Sequence, residues 1–167
     1  MGMIACLQVV DDLRIEQLLS KDADDLFAEI EEMQEDNDSV LDIDKLWDGL
    51  HFLLTGVSAC EPIEGNLISE AIVGTRKFIE DEDTDHIAYI PYERVRAIAK
   101  ELNDIDINDV VEYLQPKKFA QSGIYPNIWM NESKESLKKI MKDCFIELKT
   151  FYDKTADKKK GIIISIY

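Results

Sequence analysis

The sequence predicts an α+β fold in a single domain, residues 1–167: one small mixed or antiparallel sheet that includes the N- and C-terminal strands, covered by several helices. Three observations point there. Residues 3–10 are apolar on both alternating faces, interrupted only by Gln8, as in an interior strand. Residues 162–167 repeat that character at the other end of the chain. Between them, apolar residues recur mostly at helical spacing. A chain of 167 residues, 46% of them hydrophobic, can bury such a core without metals or disulfides. No internal repeat, low-complexity stretch or linker divides it.

The elements follow in order. Asp11 and Asp12 open a helix with Leu13, Ile15, Leu18 and Leu19 as its apolar stripe. A second helix runs from Asp22 to about Gln34, with Leu26, Phe27, Ile30 and Met33 inward and Glu29, Glu31 and Glu32 outward. Residues 35–39 form a loop, and residues 42–56 a central helix. Cys60 to Asn66 is a connection; Ile68 to Val73 fits either a short helix ending at Gly74 or a lead into a strand. Glu80 to Asp85 is an acidic loop before a strand at Ile87 to Ile90. Pro91 starts a helix reaching about Asn103, and Asp106 caps a short one through Leu114. Pro116 to Asn131 reads as loop; the last helix spans about Glu132 to Asp153, and a Lys158-Lys159-Lys160-Gly161 turn leads into the final strand.

Charge narrows the function classes. The net charge is −16, unevenly spread: residues 1–116 hold 29 acidic and 8 basic side chains, whereas residues 117–167 hold 6 and 11. Phosphate backbones repel such a chain, so no nucleic acid is expected as a partner. No stretch approaches the roughly 18 apolar residues of a membrane span, so no membrane is expected either. The N-terminus lacks the cationic start and cleavage site of a signal peptide, and Cys6 stands where myristoylation wants Ser or Thr; the expected location is the cytoplasm. Cys6, Cys60 and Cys144 are too scattered for a disulfide framework or a zinc site and read as buried free thiols.

Catalytic and metal signatures are incomplete. The seven glycines form no phosphate-cradling loop. Gly56-Val57-Ser58-Ala59-Cys60 begins like a hydrolase elbow but ends in Cys and follows a helix. Asp104-x-Asp106-x-Asn108 and Asp81-x-Asp83-x-Asp85 imitate calcium loops, yet lack the turn glycine and the closing glutamate. His51 and His86 are the only histidines. No metal and no cofactor is expected.

The segment Leu41 to Gly56 is the most informative. At about 100° per residue, Ile43, Leu46, Trp47, Leu50, Leu53 and Leu54 make one broad apolar face and Phe52 lies opposite, so the helix should be packed on two sides. A polar stripe of Asp44, Asp48, His51 and Thr55 runs between. Either it is a satisfied hydrogen-bond network that fixes the packing, or Asp48 orients His51 as a general base at a cleft. Gly56 is the helix stop.

This run, Trp-Asp-x-Leu-His-Phe-x-Leu-Thr-Gly, together with Met1-Gly2-Met3-Ile4, Ala71-Ile72-Val73-Gly74, Ile124-Tyr125-Pro126 and the closing apolar strand, resembles the YfbM-like family of uncharacterised bacterial proteins. The resemblance spans nearly the whole chain. It implies a single α+β domain and brings no activity, substrate or cofactor. Two functional expectations remain. One is an acidic binding protein that meets a basic protein partner and neutralises it in the manner of an immunity protein. The other is a small-molecule-binding protein or hydrolase-like enzyme with a pocket formed by Trp47, Asp48, His51 and Tyr125.

Overall fold

The computed structural model describes residues 2–35, 39–81 and 84–167. Five strands are present among them: β1 (Ala5–Val10), β2 (Val40–Asp42), β3 (Arg76–Lys77), β4 (His86–Ile90) and β5 (Gly161–Ile166). They form one sheet in the order β2-β1-β5-β4-β3, with every pairing antiparallel. The two terminal strands are neighbours, with Ala5 opposite Ile166 and Val10 opposite Gly161. β5 lies in the middle and all six of its residues are buried, which is why its sequence shows no polar face.

Alternation along the strands sends side chains to two clusters. Ala5, Leu7, Ile90, Ile162, Ile164 and Ile166 join the larger one. Val10, Ile87 and Ile163 join the smaller one, which α1 (Asp12–Leu18) and α2 (Ala23–Gln34) cover with Ile15, Leu18, Leu26 and Ile30. The larger cluster lies under α3 (Trp47–Thr55), α4 (Leu67–Val73), α5 (Tyr92–Asn103), α6 (Ile107–Glu112), α7 (Pro116–Gln121) and α8 (Lys134–Asp157). Four of these helices start on a side-chain cap. Asp22 accepts the Asp25 N–H, Asn66 those of Ile68 and Ser69, Asp106 that of Asn108, and Ser133 that of Ser136. The Asp104 to Asn108 run is thus a helix start.

Several expectations need correction. Leu13 and Leu19 are exposed, because α1 is only two turns long and reaches the sheet through Ile15 and Leu18 alone. The central helix begins at Trp47. Residues 40–42 pair with β1 instead, and Asp44 takes a left-handed conformation (φ 50°) before a 3-10 turn at Asp44–Leu46. Residues 116–121 are helical, with Pro116 in the first turn. α8 continues one turn past Asp153. The Ile68 to Val73 alternatives resolve as a helix, closed by Gly74. Cys60 is exposed, whereas Cys6 and Cys144 are buried. Residues 36–38 and 82–83, in the two expected loops, lie outside the described residues.

Candidate functional site

α3 packs on two sides. Trp47 and Leu50 enter the large core, and Phe52 meets Phe119 edge-on at 4.8 Å. Asp48, between these faces, is 2% exposed. One of its carboxylate oxygens accepts the Ser58 hydroxyl and the Ala59 N–H, both at 2.8 Å. The other accepts the Tyr125 backbone N–H at 2.8 Å. Three donors on two oxygens keep a buried charge satisfied without a cationic partner.

His51 is fully buried, at 0% exposure. Its Nδ1 lies 2.8 Å from the Val57 carbonyl, which can only accept, so Nδ1 carries the proton. Its Nε2 then accepts from the Ser69 hydroxyl at 2.7 Å, and Ser69 Oγ accepts the Ile63 N–H at 3.0 Å. Burial lowers the imidazole pKa below its ordinary value; the Val57 bond and the charge of Asp48 pull the other way. Thr55 donates its hydroxyl to the His51 carbonyl at 2.7 Å and receives the Val57 N–H at 3.3 Å.

The polar groups of α3 therefore share one task. Asp48 holds Ser58 and Ala59, while His51 holds Val57 directly and Ile63 through Ser69. Together they clamp the 57–63 connection against α3 and α4. Neither ring nitrogen of His51 turns to Asp48, so the general-base arrangement does not form. Asp44 sits apart, exposed at the turn before α3. Trp47 donates its indole N–H to the Met3 carbonyl at 3.2 Å, and its ring lies tilted by 37° to that of Tyr125, with centroids 5.8 Å apart. The structure thus brings Trp47, Asp48 and Tyr125 together as packed contacts.

A cleft of about 810 Å³ opens between the end of β1 and α1 and α2, and a cavity of about 350 Å³ lies beside α4, next to Ser69, Glu70 and His86. Trp47, Asp48, His51 and Tyr125 line neither. Sequence reasoning missed Ser58 and Ser69 as partners of the stripe. It also missed Glu70, 6% exposed, which takes two bonds from Arg94 at 2.5 and 2.7 Å and one from Thr75. Ser69 lies in the first turn of α4, and nothing local to it in the sequence points to His51. Among the described residues no group of three or more His, Cys, Asp or Glu is placed to hold a metal ion. No helix among them is long and apolar enough to cross a membrane.

A five-stranded antiparallel sheet with helices on both faces, with the polar groups of α3 fastening the loops beside it, defines an α+β protein. The chain belongs to the family described as a domain of unknown function, DUF1877, whose model matches residues 1–165. It is 31% identical over 135 residues to Protein YfbM of Escherichia coli (strain K12), covering 81% of this chain and 80% of that protein. Its fold is similar to the crystal structure of YfbM from Escherichia coli, a protein of unknown function, with a TM-score of 0.77, 24% identity and coverage of 98% and 99% of the two chains.

Proposed function

We propose that this chain is a binding protein whose α1–α2 layer presents an acidic face to a basic protein partner. One observation carries the reading. Residues 11–35 hold ten acidic and two basic side chains, and both cations converge on one carboxylate, Glu29. Lys21 reaches it at 2.6 Å, and Arg14 pairs with its other oxygen. Among the described residues Glu16, Asp24, Asp25, Glu31, Glu32 and Glu35 enter no ion pair. A field of one sign steers an oppositely charged protein to its surface. Leu13, 65% exposed on the same layer, offers an apolar contact within it. Covering the basic surface of such a partner would neutralise it.

The reading is tested by affinity capture from cell extract with two charge-reversed proteins. One carries Glu16→Lys and Glu31→Lys on the α1–α2 layer; the other carries Glu101→Lys and Asp109→Lys on α5 and α6. A basic protein held by the wild type and the second variant but lost by the first supports the reading. Equal recovery by all three, or no basic protein recovered at all, contradicts it.

A further inference from the structure

Residues 60–66, the second part of the connection between α3 and α4, are all exposed. Pro62, Ile63, Glu64 and Gly65 nevertheless line the 350 Å³ cavity beside α4, together with Ser69 and Glu70 of that helix. With so little burial, the segment depends on hydrogen bonds to stay in place. Its ends are tied by Ser58, which accepts the Cys60 and Glu61 N–H groups, and by Asn66, which caps α4. Between those ends, among the described residues, two bonds reach it from outside. Ser69 Oγ accepts the Ile63 N–H at 3.0 Å, and Arg94, itself held by Glu70, donates to the Gly65 carbonyl at 3.1 Å. Gly65 has φ 73° and open space where a Cβ would stand, which suits it as a pivot.

We propose that residues 60–66 are a strap bounding this cavity, latched at Ile63 by Ser69, and that a second proton on His51 opens the latch. The inference goes beyond the acidic-face reading and uses none of its residues. In the neutral ring, Nδ1–H donates to the Val57 carbonyl and Nε2 accepts the Ser69 hydroxyl, so Oγ is free to accept from Ile63. A proton on Nε2 turns that acceptor into a donor. Ser69 Oγ is then faced by two N–H groups, and its own hydrogen has lost its acceptor inside a residue that is 0% exposed. Of the three groups, only Ile63 lies on an exposed segment, where water can take the place of Ser69. The Ile63 bond is therefore the one that breaks, while Arg94 keeps Gly65. Asp48, on the same helix, is the charge whose field reaches His51 and favours the cation; burial opposes it, and Val57 and Ser69, which meet the ring from the connection and from α4, are neutral. His86 is no such latch. Its Nε2–H donates to the Val73 carbonyl at 2.7 Å and keeps that bond when Nδ1 is protonated, between the opposed charges of Lys77 and Glu80.

The test is amide hydrogen exchange of the full-length, 15N-labelled chain, read by NMR from about pH 8 to about pH 5 and corrected for the intrinsic pH dependence of exchange. The Ile63 amide should be protected at the upper end. Below about pH 6.5 its opening constant should rise by up to about tenfold per pH unit, while the β5 amides keep their protection. In Ser69→Ala the Ile63 amide should exchange freely at every pH, and His86→Gln should keep the wild-type pH dependence. Three results would overturn the proposal: an Ile63 amide unprotected at pH 8 or indifferent to pH, a parallel loss of protection in β5, or a Ser69→Ala protein with the wild-type profile. The wild-type titration alone decides the first two, whatever the variants do to folding. The acidic-face reading is untouched by any of them; it fails separately, on the charge-reversed variants.

Discussion

Asp48 and Tyr125 lie 77 positions apart, yet one carboxylate oxygen of Asp48 accepts the backbone N–H of Tyr125 at 2.8 Å. The other oxygen holds Ser58 and Ala59, so one side chain joins α3 to two loops. Asp48→Asn replaces one oxygen by an NH2 group that faces donors. A buried donor then loses its acceptor, and urea unfolding should show a loss of about 1–3 kcal/mol. A variant as stable as the wild type would show that these three bonds do not hold the loops.

His51→Ala removes the partners of the Val57 carbonyl and the Ser69 hydroxyl and leaves a cavity beneath α4. The expected loss is about 2–4 kcal/mol, from two unmatched polar groups and lost packing. Limited proteolysis should cut the 57–63 connection sooner than in the wild type. Unchanged protection there would argue against the clamp.

The same histidine gives stability a pH dependence. Burial holds the His51 pKa below its ordinary value of 6.5, and burial lowers His86 in the same direction. As pH falls, the unfolded chain takes up these protons before the folded one does. Their contribution is therefore fully present above about pH 6.5 and lost as pH drops towards the lower folded values. Each group can add a slope approaching about 1.4 kcal/mol per pH unit in that window. Unfolding free energies of the wild type and His51→Ala, compared from about pH 8 to about pH 5, should converge towards acid. A constant difference would mean that His51 binds its proton equally in both states.

Gly49 sits inside α3, where alanine normally stabilises a helix by about 0.5–1 kcal/mol. Here a Cβ would lie 2.5 Å from the Trp129 ring, which Phe119 and a 2.7 Å bond to the Ile124 carbonyl hold in place. Gly49→Ala should therefore destabilise by about 1–3 kcal/mol through overpacking. A raised melting temperature would show that Trp129 has room to move.

The sheet and the long helices were legible in the sequence because burial imposes a period. β1 and β5 are interior strands and read as apolar runs broken only by Gln8 and Ser165, and α2, α5 and α8 keep apolar stripes over three turns or more. β2 and β3, at three and two residues, are too short to display a period, and residues 116–121 carry turn-like Pro and Lys around a single buried Phe119. Asp44 fell into the polar stripe because a wheel assumes a continuous helix, and its positive φ breaks that continuity. The stripe itself was legible as a set of polar groups. Its partners were not, because Ser58, Ser69 and the Tyr125 N–H are contributed by loops and by another helix. Gln8 was visible as an interruption of β1, but its unpartnered oxygen is a property of the fold.

If the α1–α2 layer steers its partner by charge, association should be strongly salt-dependent. The Debye length falls from about 10 Å at 0.1 M salt to about 3 Å at 1 M, and the association rate should fall with it by about tenfold or more. Stopped-flow measurement with the captured basic protein reads this directly. A rate indifferent to salt would assign the interface to Leu13 and its apolar neighbours instead.

The most direct test of the account separates the stripe that builds the fold from the face that binds. The dissociation constant for the captured basic partner is measured, per folded molecule, for His51→Ala and for the Glu16→Lys, Glu31→Lys variant, at a temperature where both are folded. The account predicts that His51→Ala binds as tightly as the wild type and that the charge-reversed protein binds at least about tenfold more weakly. A His51→Ala protein that is folded but no longer binds, beside a charge-reversed protein that binds normally, would contradict it.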